Sequence, residues 1–327
     1  MNVRRRLIPT ATLAGAVTLG MVALSACSSS DTGGKGGDGK LAVVASFYPM
    51  EYLAQQIGGD HVSVTTLTKP GVEPHDLELK PRQAAQLGEA DVILYLKGIQ
   101  PAVDKAIDQS GAKTVIDATT LTTLENHGTE TGHDHGHDDP AGEADHGHEE
   151  SDTDGKDPHI WLDPVRFAEV AQGVGASLEK ADPDHAAAYK KNTSALVTKL
   201  NGLNTSFKKD LADTGTKTFI TTHAAFGYLA ERYGLEQEAI AGIDPESEPS
   251  PARVKELETI AKRDKVTTVF FETLASDKTA RTVAGDSGLK TDVLDPIEGI
   301  TDKTRGRDYI EVMRSNLAAL RTALGAK

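Results

Sequence analysis

Apolar and polar positions along this chain switch repeatedly between two periods. Leu41 to Phe47 is a compact apolar run, the pattern of a buried strand, and Tyr48, Tyr52, Leu53 and Ile57 then recur at helical spacing up to Gly58 and Gly59. Val62 to Leu67 predicts a second strand, Pro81 to Glu89 a helix, Asp91 to Leu96 a strand, Pro101 to Gln109 a helix and Thr114 to Ile116 a further short strand. Helices are predicted from Val165 to about Glu179 and, opened by Asp182 and Pro183, over residues 184 to 212. In the second of these, Tyr189, Leu196, Val197, Leu200, Leu203, Phe207 and Leu211 form one apolar stripe. At 1.5 Å per residue that helix spans roughly 40 Å, long enough to tie two lobes together.

The alternation then resumes. Strands are predicted at Thr218 to Thr222, Glu238 to Ile243, Thr267 to Phe271 and Thr291 to Leu294, with helices at Ala224 to Tyr233, 252 to 263, 277 to 285 and about Arg307 to Leu324. Strands alternating with helices predict parallel sheets covered by helices. The expected fold is therefore α/β, with two Rossmann-like lobes at 40–182 and 214–327 joined by one long helix at 183–213.

Charge changes the picture in one place. The formal net charge is -14, but residues 125 to 157 hold twelve Asp or Glu and one Lys, which accounts for -11 of it. That stretch also carries His133, His135, His137, His146 and His148, and its low hydrophobicity predicts a tether, about 125–156, that is disordered without metal. There is no basic stripe, which argues against nucleic acid as a partner. The N-terminus, with Arg4, Arg5 and Arg6 ahead of an apolar stretch to Leu24, reads as an export signal over 1–26. Leu24-Ser25-Ala26-Cys27 resembles a bacterial lipobox. Cys27 is thereby expected to carry lipid, with 27–39 as a flexible leash. It is the sole cysteine, so cysteine ligation of a metal and an intramolecular disulfide are both excluded from the mature chain.

Candidate chemistry gathers in loops that follow strands, where ligand sites of open α/β sheets lie. His75 follows the second strand and His159 sits between the Asp157-Pro158 and Asp163-Pro164 breaks beside the single Trp161. His223 and Asp295 directly follow strands of the second half. If the lobes face each other, these four converge as three imidazoles and one carboxylate around one cation. Glu272, at the end of another strand, is the rival to Asp295, and Glu73 and Asp76 are candidates to orient the His75 ring. His61 and His185 lack such placement and are read as structural.

Four segments in order, Pro74-His75-Asp76 with Lys80-Pro81, Asp157 to Pro164, Thr222 to Tyr228, and Leu294-Asp295-Pro296, resemble the zinc-uptake solute-binding lipoproteins of metal ABC transporters. The likeness runs over about 40 to 327, apart from the tether. It implies two α/β lobes on a long helix with metal between them, held by His75, His159, His223 and Asp295. It further implies a monomeric Zn2+ receptor on the outer face of the cytoplasmic membrane, lipid-anchored, with an ABC permease and its ATPase as partners. The tether is similar to the acidic histidine loop of many zinc members, implying weak, exchangeable sites at its five histidines. Manganese-binding relatives carry a carboxylate where this chain has His223, and three nitrogens with one oxygen suit zinc. The alternatives are a receptor for manganese or another divalent metal, or a metal-dependent surface adhesin. A hydrolase is disfavoured: no His-Glu-x-x-His helix or nucleophile elbow is present, and four protein ligands leave no open position for water.

Overall fold

In the computed structural model, residues 39–127 and 156–327 are described. The export signal, Cys27, nearly all of the leash and the histidines at 133, 135, 137, 146 and 148 lie outside the described residues. Two four-stranded parallel sheets organise the body. In the first, β1 (Leu41–Ala45), β2 (Val62–Thr66), β3 (Val92–Tyr95) and β4 (Val115–Asp117) run in the order β2-β1-β3-β4. In the second, β5 (Thr218–Thr221), β6 (Glu236–Ala239), β7 (Thr268–Phe271) and β8 (Lys290–Val293) run in the order β6-β5-β7-β8. The two orders are equivalent, so each half repeats the same parallel βαβ winding. The α/β expectation is met.

The helices follow from local chemistry. Within the first half lie α1 (Tyr48–Gly58), α2 (Pro81–Glu89) and α3 (Pro101–Ser110), each with proline in its first turn, where no amide hydrogen is needed. α4 (Pro164–Ala181) is capped by Asp163, whose side chain accepts from the Val165 amide. α5 (Ala186–Asp210) is the long helix. A short 3-10 turn, Pro183–His185, precedes it, and Asp182 ties its start by accepting from Tyr189 Oη at 2.8 Å and pairing with His185 Nδ1 at 2.6 Å. In the second half are α6 (Gly227–Tyr233), α7 (Pro251–Arg263), α8 (Lys278–Ser287) and α9 (Tyr309–Leu324).

Two boundaries differ from the hydrophobic pattern. β6 begins at Glu236, because the polar Glu236 and Gln237 pair with Thr218 and Phe219 along the sheet edge, while the apolar Ile240 and Ala241 lie beyond the strand. α6 starts at Gly227 rather than Ala224. Residues 223–226 form a loop, pinned by the Ala224 amide donating to Gly242 O, and that loop holds His223.

One apolar core runs through both halves. It joins Phe47, Trp161, Phe167 and the stripe of α5 (Tyr189, Leu196, Leu200, Leu203 and Phe207) with Phe219, Phe270, Tyr309 and Leu320. α5 packs on α1 and α4 from the first half and on α9 from the second. Trp161 is the join nearest the site: fully buried, it donates from Nε1 to Pro296 O at 2.6 Å and its own carbonyl accepts from Tyr309 Oη at 2.5 Å. Among the described residues, no helix is long and apolar enough to cross a membrane.

Candidate metal centre

Three loops of the first and second halves deliver one imidazole each. His75 lies in the loop after β2, its amide donating to Glu73 Oε1 at 3.2 Å. His159 sits at the start of the 3-10 turn Ile160–Leu162. Both its amide and its Nδ1 engage Asp157 Oδ1, at 2.9 and 2.8 Å, so one carboxylate oxygen fixes backbone and ring together. His223, two residues beyond the end of β5, places Nδ1 at 2.8 Å from Glu272 Oε1, which also accepts from Thr222 Oγ1 at 2.7 Å. With Nδ1 of His159 and His223 occupied by carboxylates, the outward nitrogen of each ring is Nε2.

These Nε2 atoms converge on a single oxygen. His75, His159 and His223 Nε2 each lie 3.6 Å from Glu298 Oε1. The ring centroids stand 5.5 to 6.2 Å apart. A separation of 3.6 Å is too long for a hydrogen bond, and none of the three Nε2 atoms nor either Glu298 oxygen has a hydrogen-bonding partner although all are buried. A tetrahedral ion with bonds of about 2.0–2.1 Å spaces its ligand atoms about 3.4 Å apart. The three Nε2–Oε1 separations are thus close to the spacing a small tetrahedral cation demands, and all four donor atoms lie within 4.8 Å of one another.

Asp295 does not join this group. Its Oδ1 accepts from the Ile297 amide at 2.8 Å and its Oδ2 from Thr273 Oγ1 at 2.9 Å, while Asn316 holds its backbone from both sides. Asp295 is an Asx-turn residue that bends the chain after β8. With Ile297 at φ +60°, in the left-handed region that a β-branched residue rarely adopts, the turn brings Glu298 to the centre. The fourth group is therefore Glu298, three residues beyond the position expected. The signal that points to it in the sequence is Asp-Pro-x-Glu, an Asx-turn followed by a carboxylate.

Glu272 serves as the partner of His223 rather than as the fourth donor, and Glu73 touches the amide of His75 rather than its ring. His61 and His185 stack on each other, centroids 4.0 Å apart, outside the centre.

Electrostatics follow from these contacts. Burial pulls the His223 imidazole down, but the Glu272 and Glu298 carboxylates outweigh it and hold it well above the ordinary histidine value. His159, likewise opposed by burial, is held up by Asp157 and Glu298. Burial would push the Glu298 carboxyl up, yet the surrounding His159, His223 and His75 rings hold it well below the usual carboxylate range. Burial and the nearby Glu298 charge push Glu73 up to about 9, so it is a neutral acid near pH 7.

Comparison with known proteins agrees with this geometry. Residues 43–323 match the family described as zinc-uptake complex component A, periplasmic. The chain belongs to this family. The zinc-binding lipoprotein AdcA of Streptococcus pneumoniae is 39% identical over 303 residues, 91% of this chain and 58% of AdcA, so the chain spans little more than half of that relative. The high-affinity zinc uptake system protein ZnuA of Bacillus subtilis is 37% identical over 313 residues, covering 93% of this chain and 94% of ZnuA. The structure of Zn(II)-bound AdcA from S. pneumoniae superposes with a TM-score of 0.72 at 34% identity, covering 88% of this chain and 59% of AdcA. The laminin-binding protein Lmb of Streptococcus agalactiae, described as bifunctional with adhesin and metal-transporting activity, superposes at 0.74 with 30% identity over 87% of this chain and 99% of Lmb. Members of the zinc-uptake component A family are solute-binding receptors, and Zn2+ is the ligand the donor set here suits.

Proposed function

We propose that this chain is the extracytoplasmic receptor of an ABC transporter, capturing Zn2+ at His75, His159, His223 and Glu298 and passing it to a membrane permease driven by an ATPase. The observation that carries this reading is the convergence of three partnerless Nε2 atoms on one partnerless carboxylate oxygen. Four protein donors close a tetrahedral shell, which suits carriage of the ion and leaves no coordinated water for hydrolysis. Three nitrogens and one oxygen favour zinc over manganese, which prefers oxygen-rich, larger shells.

The same reading assigns the lipid anchor to Cys27, makes the receptor a monomer tethered at the outer face of the cytoplasmic membrane, and treats 40–182 and 214–327 as its lobes on the helix 183–213. The test is zinc titration of the full chain against a competing chromophoric chelator. One tight equivalent is expected, lost in His223→Ala; a tight equivalent that survives that substitution overturns the assignment.

A further inference from the structure

A second group of side chains able to hold a metal lies at the start of the acidic, histidine-rich stretch. We propose that Glu125, His127 and Glu231 form a separate, solvent-facing site for a divalent cation of zinc-like preference. His127 Nε2 lies 3.0 Å from Glu231 Oε2 and 3.8 Å from Glu125 Oε2. The three donor atoms fall within 4.8 Å of one another, as ligands of one ion must.

Packing holds the group in place. Arg166 ion-pairs with Glu125 Oε1, leaving Oε2 turned toward His127. The Glu125 amide donates to Tyr228 Oη at 2.8 Å, and the His127 ring meets the Tyr228 ring edge to face at 4.4 Å. A Cβ on Gly227 would come within 2.1 Å of the His127 Cβ, so only glycine there leaves room for this backbone approach.

An independent feature also points to a ligand. Asp157 Oδ2, fully buried and without a hydrogen-bonding partner, faces His127 Nδ1 at 3.5 Å. A carboxylate behind the far nitrogen is how a ligating imidazole is oriented. The other oxygen of the same carboxylate holds His159, so one side chain stands behind both centres. Three carboxylates, Glu125, Glu231 and Asp157, against the single Arg166 guanidinium leave the pocket anionic. The Glu231 side chain is 56% exposed, so the ion keeps open positions for water and exchanges readily. The imidazole nitrogen among the donors favours Zn2+ or a similar borderline ion over hard Mg2+.

The test uses the full chain with His133, His135, His137, His146 and His148 replaced by Ser, dialysed to equilibrium against rising free Zn2+ and assayed for bound metal. Two equivalents are expected. Glu231→Gln and His127→Asn should each weaken only the second by about tenfold or more. Binding of one equivalent only, or a second that survives both substitutions, overturns the proposal. The outcome is separable from that of the buried centre. If the buried assignment is wrong, the equivalent sensitive to His223→Ala is missing while the one sensitive to Glu231→Gln remains.

Discussion

The substitution pair Glu298→Gln and Asp295→Asn separates the donor from the turn. Glu298 Oε1 is the atom toward which all three Nε2 atoms point, so the amide keeps the shape and removes the charge. Disturbing a residue that merely supports a metal ligand costs 10–100-fold in affinity, and loss of a charged donor should reach at least the top of that range, about 100-fold. That is about 2.7 kcal/mol at 1.36 kcal/mol per tenfold. Since a bound ligand stabilises by RT ln(1 + [L]/Kd), the thermal shift produced by a fixed excess of zinc should shrink by about the same 2.7 kcal/mol, or about 5 °C for a body of this size. In Asp295→Asn the amide oxygen still accepts from Ile297 and the amide nitrogen meets the Thr273 hydroxyl, so affinity should stay within about threefold. Chelator competition and differential scanning of both variants give these numbers. Tight zinc binding in Glu298→Gln together with its loss in Asp295→Asn would refute the reasoning.

Protons compete with zinc at the proposed centre. His159 and His223 are held above the ordinary histidine value, so near neutral pH the metal-free centre retains protons that zinc must displace. Affinity should therefore fall as pH drops, starting above 6.5, by about tenfold per pH unit for each proton released; a flat profile from pH 8 to 6 in chelator competition contradicts this. Glu272→Ala leaves His223 Nδ1 without its carboxylate and should weaken zinc about 10–100-fold in the same assay while one equivalent still binds. Trp161→Phe strands the buried Pro296 carbonyl and should cost about 1–3 kcal/mol in urea denaturation, with or without zinc.

Much of the site is readable from residue order because loop histidines after strands are placed by topology alone. His75 and His223 follow β2 and β5, and prolines at 158 and 164 announce the stiff loop of His159. The rest depends on contacts no local pattern encodes. Glu298 reaches the centre only through a left-handed Ile297, a conformation that a β-branched residue argues against. Asp157 and Glu272 acquire their roles from side-chain bonds, the latter across 49 residues. Glu125 and His127 look like the first residues of an unstructured tether by composition, yet Arg166 and Tyr228, both far along the chain, dock them on the body.

The apolar core shared by the two halves constrains how zinc would leave the proposed receptor. Swinging the halves wide apart would wet Trp161, Phe167 and Tyr309, at about 1.5–3 kcal/mol each. A conformer costing on the order of 5 to 9 kcal/mol is too rare to serve routine traffic. Of the three rings His75 is the most exposed, with 8% of its side chain accessible against 0% for His159 and 1% for His223, and it lies in the loop after β2. Handover should begin with that ring letting go, a small local motion in an otherwise rigid hand.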